Sequence, residues 1–288
     1  MQRTLALSRA AQRLTQRLTV TLAAVAMSLV SLIMPAAAAT DDPWISIRKE
    51  FYGDREILVT KAPLILDAPD KAEDAALVPV SIYLLPDIAD NIKTLRVFID
   101  NNPAPMVGTF TFGKAAGFGP KTIATRVRFD TLSFIRAIAE TDDGKLYMAT
   151  HFVQAAGGCS SPAIKDAQEA LDSAGQMHVK KLNDPHKFAS SRNSSSVTGE
   201  AMVMLRHPNY SGMQMDPASG QFIPAKYLRT LDIMRGNELV FHLEAGISMS
   251  SNPNVRFTYG ANGNEALSAV ASDSDGAVFK ASSPPGNT

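Results

Sequence analysis

Short runs in which apolar and polar residues alternate dominate the chain from Asp41 to His151. Residues 64–66, 78–82, 95–99, 109–112 and 124–129 are rich in β-branched and aromatic types, and alternation puts their apolar side chains on one face of a strand. Turn formers separate the runs. Asp100-Asn101-Asn102-Pro103 is one such break, and Asp142-Asp143-Gly144-Lys145 predicts a hairpin between 134–139 and 145–150. From Val197 to Lys280 the strand pattern returns at 200–206, 227–234, 238–243 and 255–259. Arg235-Gly236-Asn237 and Asp273-Ser274-Asp275-Gly276 supply turns there, and the tail from Ser282 is expected to fray.

The period changes at Ser161. Ser161 can cap a helix with Pro162 at its first position, and Ile164, Ala167, Leu171 and Ala174 recur at helical spacing up to Gly175. Ser190-Ser191-Arg192-Asn193-Ser194-Ser195-Ser196 reads as a polar linker. The pattern therefore predicts an all-β protein of two β-sandwich domains joined by a short helical, Ser-rich connector. The expected boundaries are 1–39, 40–160, 161–196 and 197–288.

The first segment has the layout of an export signal. Arg3, Arg9, Arg13 and Arg17 precede an apolar stretch over 18–33, and Ala37-Ala38-Ala39 offers small residues for cleavage. The stretch is short for a spanning helix, and no cysteine follows it for lipid attachment. The expected location is the periplasm, reached by a Sec-type route. Lys+Arg and Asp+Glu balance at 28 each, so loss of the four leader arginines leaves a mature chain of charge −4. Such a chain has no electrostatic footprint for nucleic acid or for an anionic membrane.

An exported chain makes the cysteine count informative. Cys159 is the only cysteine and sits in Gly157-Gly158-Cys159. It cannot close an intramolecular disulfide, so it is either inert or kept free for chemistry between molecules. The two glycines suit a flexible arm presenting the thiol, and a helix starting near Ser161 would lower its pKa. The five histidines, His151, His178, His186, His207 and His242, have no metal-ligand spacing, so zinc is not expected. Met202 and Met204 share one face of a strand and read as core, while Met213 and Met215 sit in a loop. No P-loop, dinucleotide fingerprint or nucleophile elbow is present.

Both halves resemble known families. Residues 76–159 resemble SoxY, the sulfur-carrier subunit of bacterial thiosulfate oxidation. The likeness lies in Ala76-Leu77-Val78-Pro79-Val80, Val97-Phe98-Ile99-Asp100-Asn101-Asn102-Pro103, Thr125-Arg126-Val127-Arg128, Ile135-Arg136-Ala137-Ile138-Ala139-Glu140 and Gly157-Gly158-Cys159. Residues 197–280 resemble its partner SoxZ through Arg206-His207-Pro208, Ile223-Pro224-Ala225-Lys226-Tyr227, Ser251-Asn252-Pro253 and Phe257. The resemblance implies an immunoglobulin-like sandwich for each half and intramolecular pairing of the two. It also implies a covalent carrier cysteine at Cys159, no cofactor and no turnover of its own. Partners would be Sox-type enzymes or a quinoprotein dehydrogenase, with which such fusions are grouped. His207 and Pro208 become candidate interface residues. The rival class is a binding or assembly accessory of such a dehydrogenase, with Cys159 incidental. In SoxY the cysteine rides a free C-terminal arm; here Ser160-Ser161-Pro162 and a further domain follow, so the arm is tethered at both ends.

Overall fold

Two β-sheets carry almost all the regular structure in the computed structural model, which describes residues 42–161, 174–188 and 196–284. The expected leader, the helix over 162–173, the linker over 190–195 and the last four residues lie outside that range. The larger sheet has nine strands, in the order β1 (Ile57–Val59), β8 (Leu146–Val153), β7 (Ser133–Thr141), β4 (Ile92–Ile99), β5 (Met106–Phe112), β12 (Glu238–Ala245), β11 (Leu228–Arg235), β14 (Leu267–Asp273) and β15 (Val278–Ser282). The smaller has six, in the order β2 (Leu64–Asp67), β3 (Val78–Leu84), β6 (Lys121–Val127), β13 (Asn254–Gly260), β10 (Ser196–Leu205) and β9 (Met177–Phe188). The fold is all-β, as the alternation predicts. Only β1 with β8 pairs in parallel among the named strands.

The two halves meet within both sheets. Phe110 of β5 pairs with Leu243 of β12, and Ile123 of β6 pairs with Phe257 of β13. One core runs across this seam. Phe241 lies 5.6 Å from Phe110 and 5.2 Å from Phe257, both edge to face. All three rings are buried, each worth about 2–3 kcal/mol of transfer free energy, so the seam is held by core packing as well as by backbone ladders.

Two expectations need correction. The connector over 161–196 is not purely helical: residues 177–188 form β9, paired along β10 from Leu205↔Met177 to Ser196↔Phe188. Met177 and Val179 face the core while His178 and Lys180 are exposed, a period of two that the lysines disguise. Met202 and Met204 are not core either; the buried face of β10 is Ala201, Val203 and Leu205.

A helix, α1 (Pro43–Tyr52), covers the outer face of the larger sheet. Trp44, Ile47 and Tyr52 pack on Phe98, Ile138, Leu146 and Met148, and Gly53 ends the helix at φ +58°. Beside it Arg136 forms an ion pair with Asp100 (2.7 Å) and lies 4.5 Å from the Trp44 ring centroid.

Candidate functional site: a buried cysteine between the two halves

At one end of the sandwich, the segments after β6 and β8 from the first half meet the loops after β10 and β12 from the second. Cys159 lies in the turn after β8, and the turn is pinned rather than free. The Gly157 amide donates to the Asp130 carbonyl (2.8 Å) and the Gly158 amide to the Phe129 carbonyl (2.7 Å). The Ser161 amide and hydroxyl both close back on the Gly157 carbonyl, at 3.0 and 2.7 Å.

The two glycines serve different needs. Gly157 takes φ +81° with open space around the position a Cβ would occupy. Gly158 is required by contact: a Cβ there would stand 2.1 Å from the Ala75 carbonyl oxygen. The expectation of a flexible arm with an accessible thiol is therefore overturned. Cys159 is 1% exposed.

The second half supplies the cover. The Ser211 hydroxyl donates to the Cys159 carbonyl at 2.6 Å. Its amide donates to Oε1 of Gln214, a residue also buried, whose Nε2 has no partner among the described residues. The loop holding Ser211 is itself fastened from beneath. His207 Nδ1 accepts the Asn209 amide (3.1 Å), and its Nε2 lies 3.5 Å from Asp273 Oδ2. Burial pushes the His207 pKa down, with Asp273 opposing; the ring is the neutral tautomer that donates from Nε2. His207 and Pro208 are both buried, and the contacts of His207 fasten this loop from within.

Arg128 joins these loops to the cysteine turn. Its side chain is fully buried and makes no ion pair among the described residues. Instead Nη1 donates to the Gly158 carbonyl (3.2 Å), Nη2 to the Asn209 carbonyl (3.2 Å) and Nε to the Met249 carbonyl (3.3 Å). One guanidinium thus ties the cysteine turn to both loops of the second half. Asn102 backs it, donating from Nδ2 to the Arg128 carbonyl (2.7 Å) and lying 2.9 Å from Ser248 Oγ. Arg128 stands in one of the runs that carry the family resemblance, but the alternation over 124–129 puts it opposite Val127 and Phe129, on the face that reads from sequence as solvated. Its burial depends on loops more than 80 residues further along the chain.

The electrostatics follow from this enclosure. Burial pushes the Cys159 thiol up to about 11, Asp130 adds to the rise, and Arg128 opposes it. Burial also lowers the Arg128 pKa, with Cys159 and Asp74 opposing. The expected lowering of the thiol pKa is reversed: in this closed arrangement the sulfur is a protonated, sheltered thiol and a poor nucleophile. Among the described residues no group of three His, Cys, Asp or Glu is placed to hold a metal ion.

The fold and site define an all-β protein whose paired halves enclose a single cysteine between them. Two families match it in succession: "Sulfur oxidation protein SoxY" over residues 48–159, ending on that cysteine, and "Sulphur oxidation protein SoxZ" over 189–284. The chain belongs to these families as a fused SoxYZ-like protein, its first half of the SoxY family and its second of the SoxZ family. Among solved structures, the sulfur carrier protein SoxY from Chlorobium limicola f thiosulfatophilum is 22% identical, covering 38% of this chain and 89% of its own, with a TM-score of 0.31. A superoxide reductase (neelaredoxin) from Ignicoccus hospitalis is 16% identical, covering 32% of this chain and 78% of its own, with a TM-score of 0.26. No curated relative matches the sequence.

Proposed function

We propose that the chain is a periplasmic carrier that holds a sulfur-containing group on Cys159 for separate oxidoreductases. The supporting observation is that its only cysteine ends the SoxY-family half and is clasped by loops of the SoxZ-family half. In loading, the thiol loses its proton and joins a sulfur donor through an S–S bond. The two electrons released go to a partner oxidoreductase, so the chain needs no cofactor of its own. The closed turn is the resting state. Loading requires the 157–161 segment to leave its seat, because a thiol that is 1% exposed and titrates near 11 cannot attack at neutral pH.

The burial of the thiol also favours a second reading, an assembly accessory of a periplasmic quinoprotein dehydrogenase in which Cys159 is a packing residue. Intact mass of the mature protein from its own periplasm separates the two. The carrier reading expects a mass above the reduced chain that collapses on reduction, and loss of function in Cys159→Ser. An unmodified chain, with full function in that variant, leaves only the accessory role.

A further inference from the structure

The strands that lead to Cys159 have their other ends around a second feature that shares none of its residues. Strand β6 runs from Lys121 toward Arg128, and β7 from Ser133 to the hairpin at Asp142. At this far end opens a cavity of about 580 Å³, walled by Phe112 and Phe118 and lined also by Asp90, Lys114, Lys121 and Asp142. Lys114 and Asp142 are exposed, while Lys121 is 3% exposed.

Lysine is rarely buried to this extent, and what holds it here is informative. Its Nζ donates to the carbonyls of Gly117 (2.8 Å) and Gly119 (3.3 Å). Gly117 and Gly119 sit at φ +71° and +94°, a bend that turns both carbonyls toward the amine. The Gly119 amide donates in turn to Asp90 Oδ1 at 2.5 Å. A neutral amine has two N–H donors and one lone pair. Two acceptors satisfy both donors and leave the lone pair for a third group in the cavity. Burial pushes Lys121 down to about 8, with Asp90 pulling the other way. At pH 7 about one-tenth of such an amine is neutral, against less than one in a thousand for an exposed lysine.

We propose that Lys121 is a reactive amine and that this cavity takes a small carbonyl compound, an aldehyde or 2-oxo acid, as a reversible imine. The nitrogen lone pair forms a bond to the carbonyl carbon while the C=O π pair moves to oxygen. A proton passes from nitrogen to that oxygen, giving a carbinolamine. Protonation of its hydroxyl and loss of water leave the iminium. One water is released and no electrons are exchanged.

The test uses the mature full-length protein at pH 7 with propanal or glyoxylate and cyanoborohydride, which fixes an imine as a secondary amine, followed by peptide mass spectrometry. The site should be labelled at least ten-fold faster than the exposed Lys61 and Lys145 with either probe. Its rate should rise half-maximally near pH 8, where Asp90, Lys114 and Asp142 are the charged groups facing it. Lys121→Arg keeps the cation and the carbonyl contacts and should lose the fast labelling, while Cys159→Ser should keep it, since the two sites are independent. A rate no faster than that of the exposed lysines with both probes, or fast incorporation that persists in Lys121→Arg, overturns the assignment. Site mapping on the unmodified chain decides the matter even if a variant fails to fold.

Discussion

Ser211→Ala tests whether the second half holds the cysteine closed. In the closed state the thiol is sheltered and titrates near 11, two decades above an ordinary thiol at 9.0, so alkylation at pH 7.5 must proceed through opening of the 157–161 turn. Opening breaks the hydrogen bonds donated by the Gly157 and Gly158 amides, the Arg128–Gly158 contact and the Ser211–Cys159 contact. Removing the serine hydroxyl takes its donor from the Cys159 carbonyl in the closed state, while its contacts within its own loop, to Gln214 Oε1 and from the Met213 amide, are lost in the closed and open states alike. Loss of the donor to Cys159 costs the closed state about 1–2 kcal/mol, which raises the open population roughly 5–30-fold. The second-order rate of iodoacetamide labelling, followed by intact mass, should rise by that factor while the melting midpoint moves by only a few degrees. The wild-type rate should itself lie below that of the urea-unfolded chain by the fraction of time the turn stands open, since only the open state presents an ordinary thiol. A variant with an unchanged rate would show that Ser211 is no latch. A wild-type thiol that reacts as fast as the unfolded chain would remove the closed state altogether.

Four further outcomes follow from the same geometry. Gly158→Ala places a Cβ against the Ala75 carbonyl and should destabilise by about 3 kcal/mol or more, whereas Gly157→Ala meets open space and should cost only about 1–2 kcal/mol for its left-handed backbone; thermal melts of the pair give the contrast. Arg128→Met strips three carbonyls of their donor and should cost about 3 kcal/mol in urea unfolding, while raising the thiol pKa further because Arg128 opposes the effect of burial. Because the folded-state thiol pKa is raised, the Cys159 contribution is complete below pH 9 and is lost as pH rises from about 9 to about 11. Stability should fall over that window by up to about 3 kcal/mol, and Cys159→Ser should abolish that part of the slope. A single proteolytic cut within 189–195 should leave the two pieces associated on a sizing column, since the β5–β12 ladder and the Phe110–Phe241–Phe257 cluster cross the seam.

The strands of the first half were legible because alternation is a local property: 78–82 and 95–99 lie inside β3 and β4 with their apolar faces inward. The short edge strands β1 and β15 were not, and three longer elements were also missed. In β9 the outward positions carry His178 and Lys180, so a strand with one solvated face looked like a charged connector. In β14 the inward residues are small (Ala269 and Ala271 beside Leu267), and small residues carry little hydrophobic signal. Helix α1 is short, with its buried residues widely spaced. At the site, the cysteine and its glycines stood out from their rarity and order, but their burial did not. Nothing local to Gly158 announces Ala75, and nothing in Thr125-Arg126-Val127-Arg128 announces the carbonyls of Asn209 and Met249. Burial of this kind is set by contacts between distant segments, which a linear pattern does not contain.

Fusion changes what the second half can do for the first. A carrier cysteine on a free chain end reaches a partner by diffusion of the arm, and shelter is lost whenever the arm swings. Here the chain continues past Ser161, so the turn moves only as a loop anchored at both ends and reaches less far. The same tether keeps the SoxZ-family loops at an unchanging effective concentration beside the cysteine, and resealing after opening becomes intramolecular and fast. Arg128 fits that arrangement. Left in the core with no carboxylate partner among the described residues, it is held by three carbonyls that come together only when the turn is seated. When the turn leaves, the guanidinium loses the Gly158 carbonyl and its desolvation is less well compensated, so opening is penalised from the protein side and not only at the sulfur. A partner that draws the turn out must offset both terms. In the carrier reading, that double penalty is what restricts chemistry at Cys159 to the moment of docking.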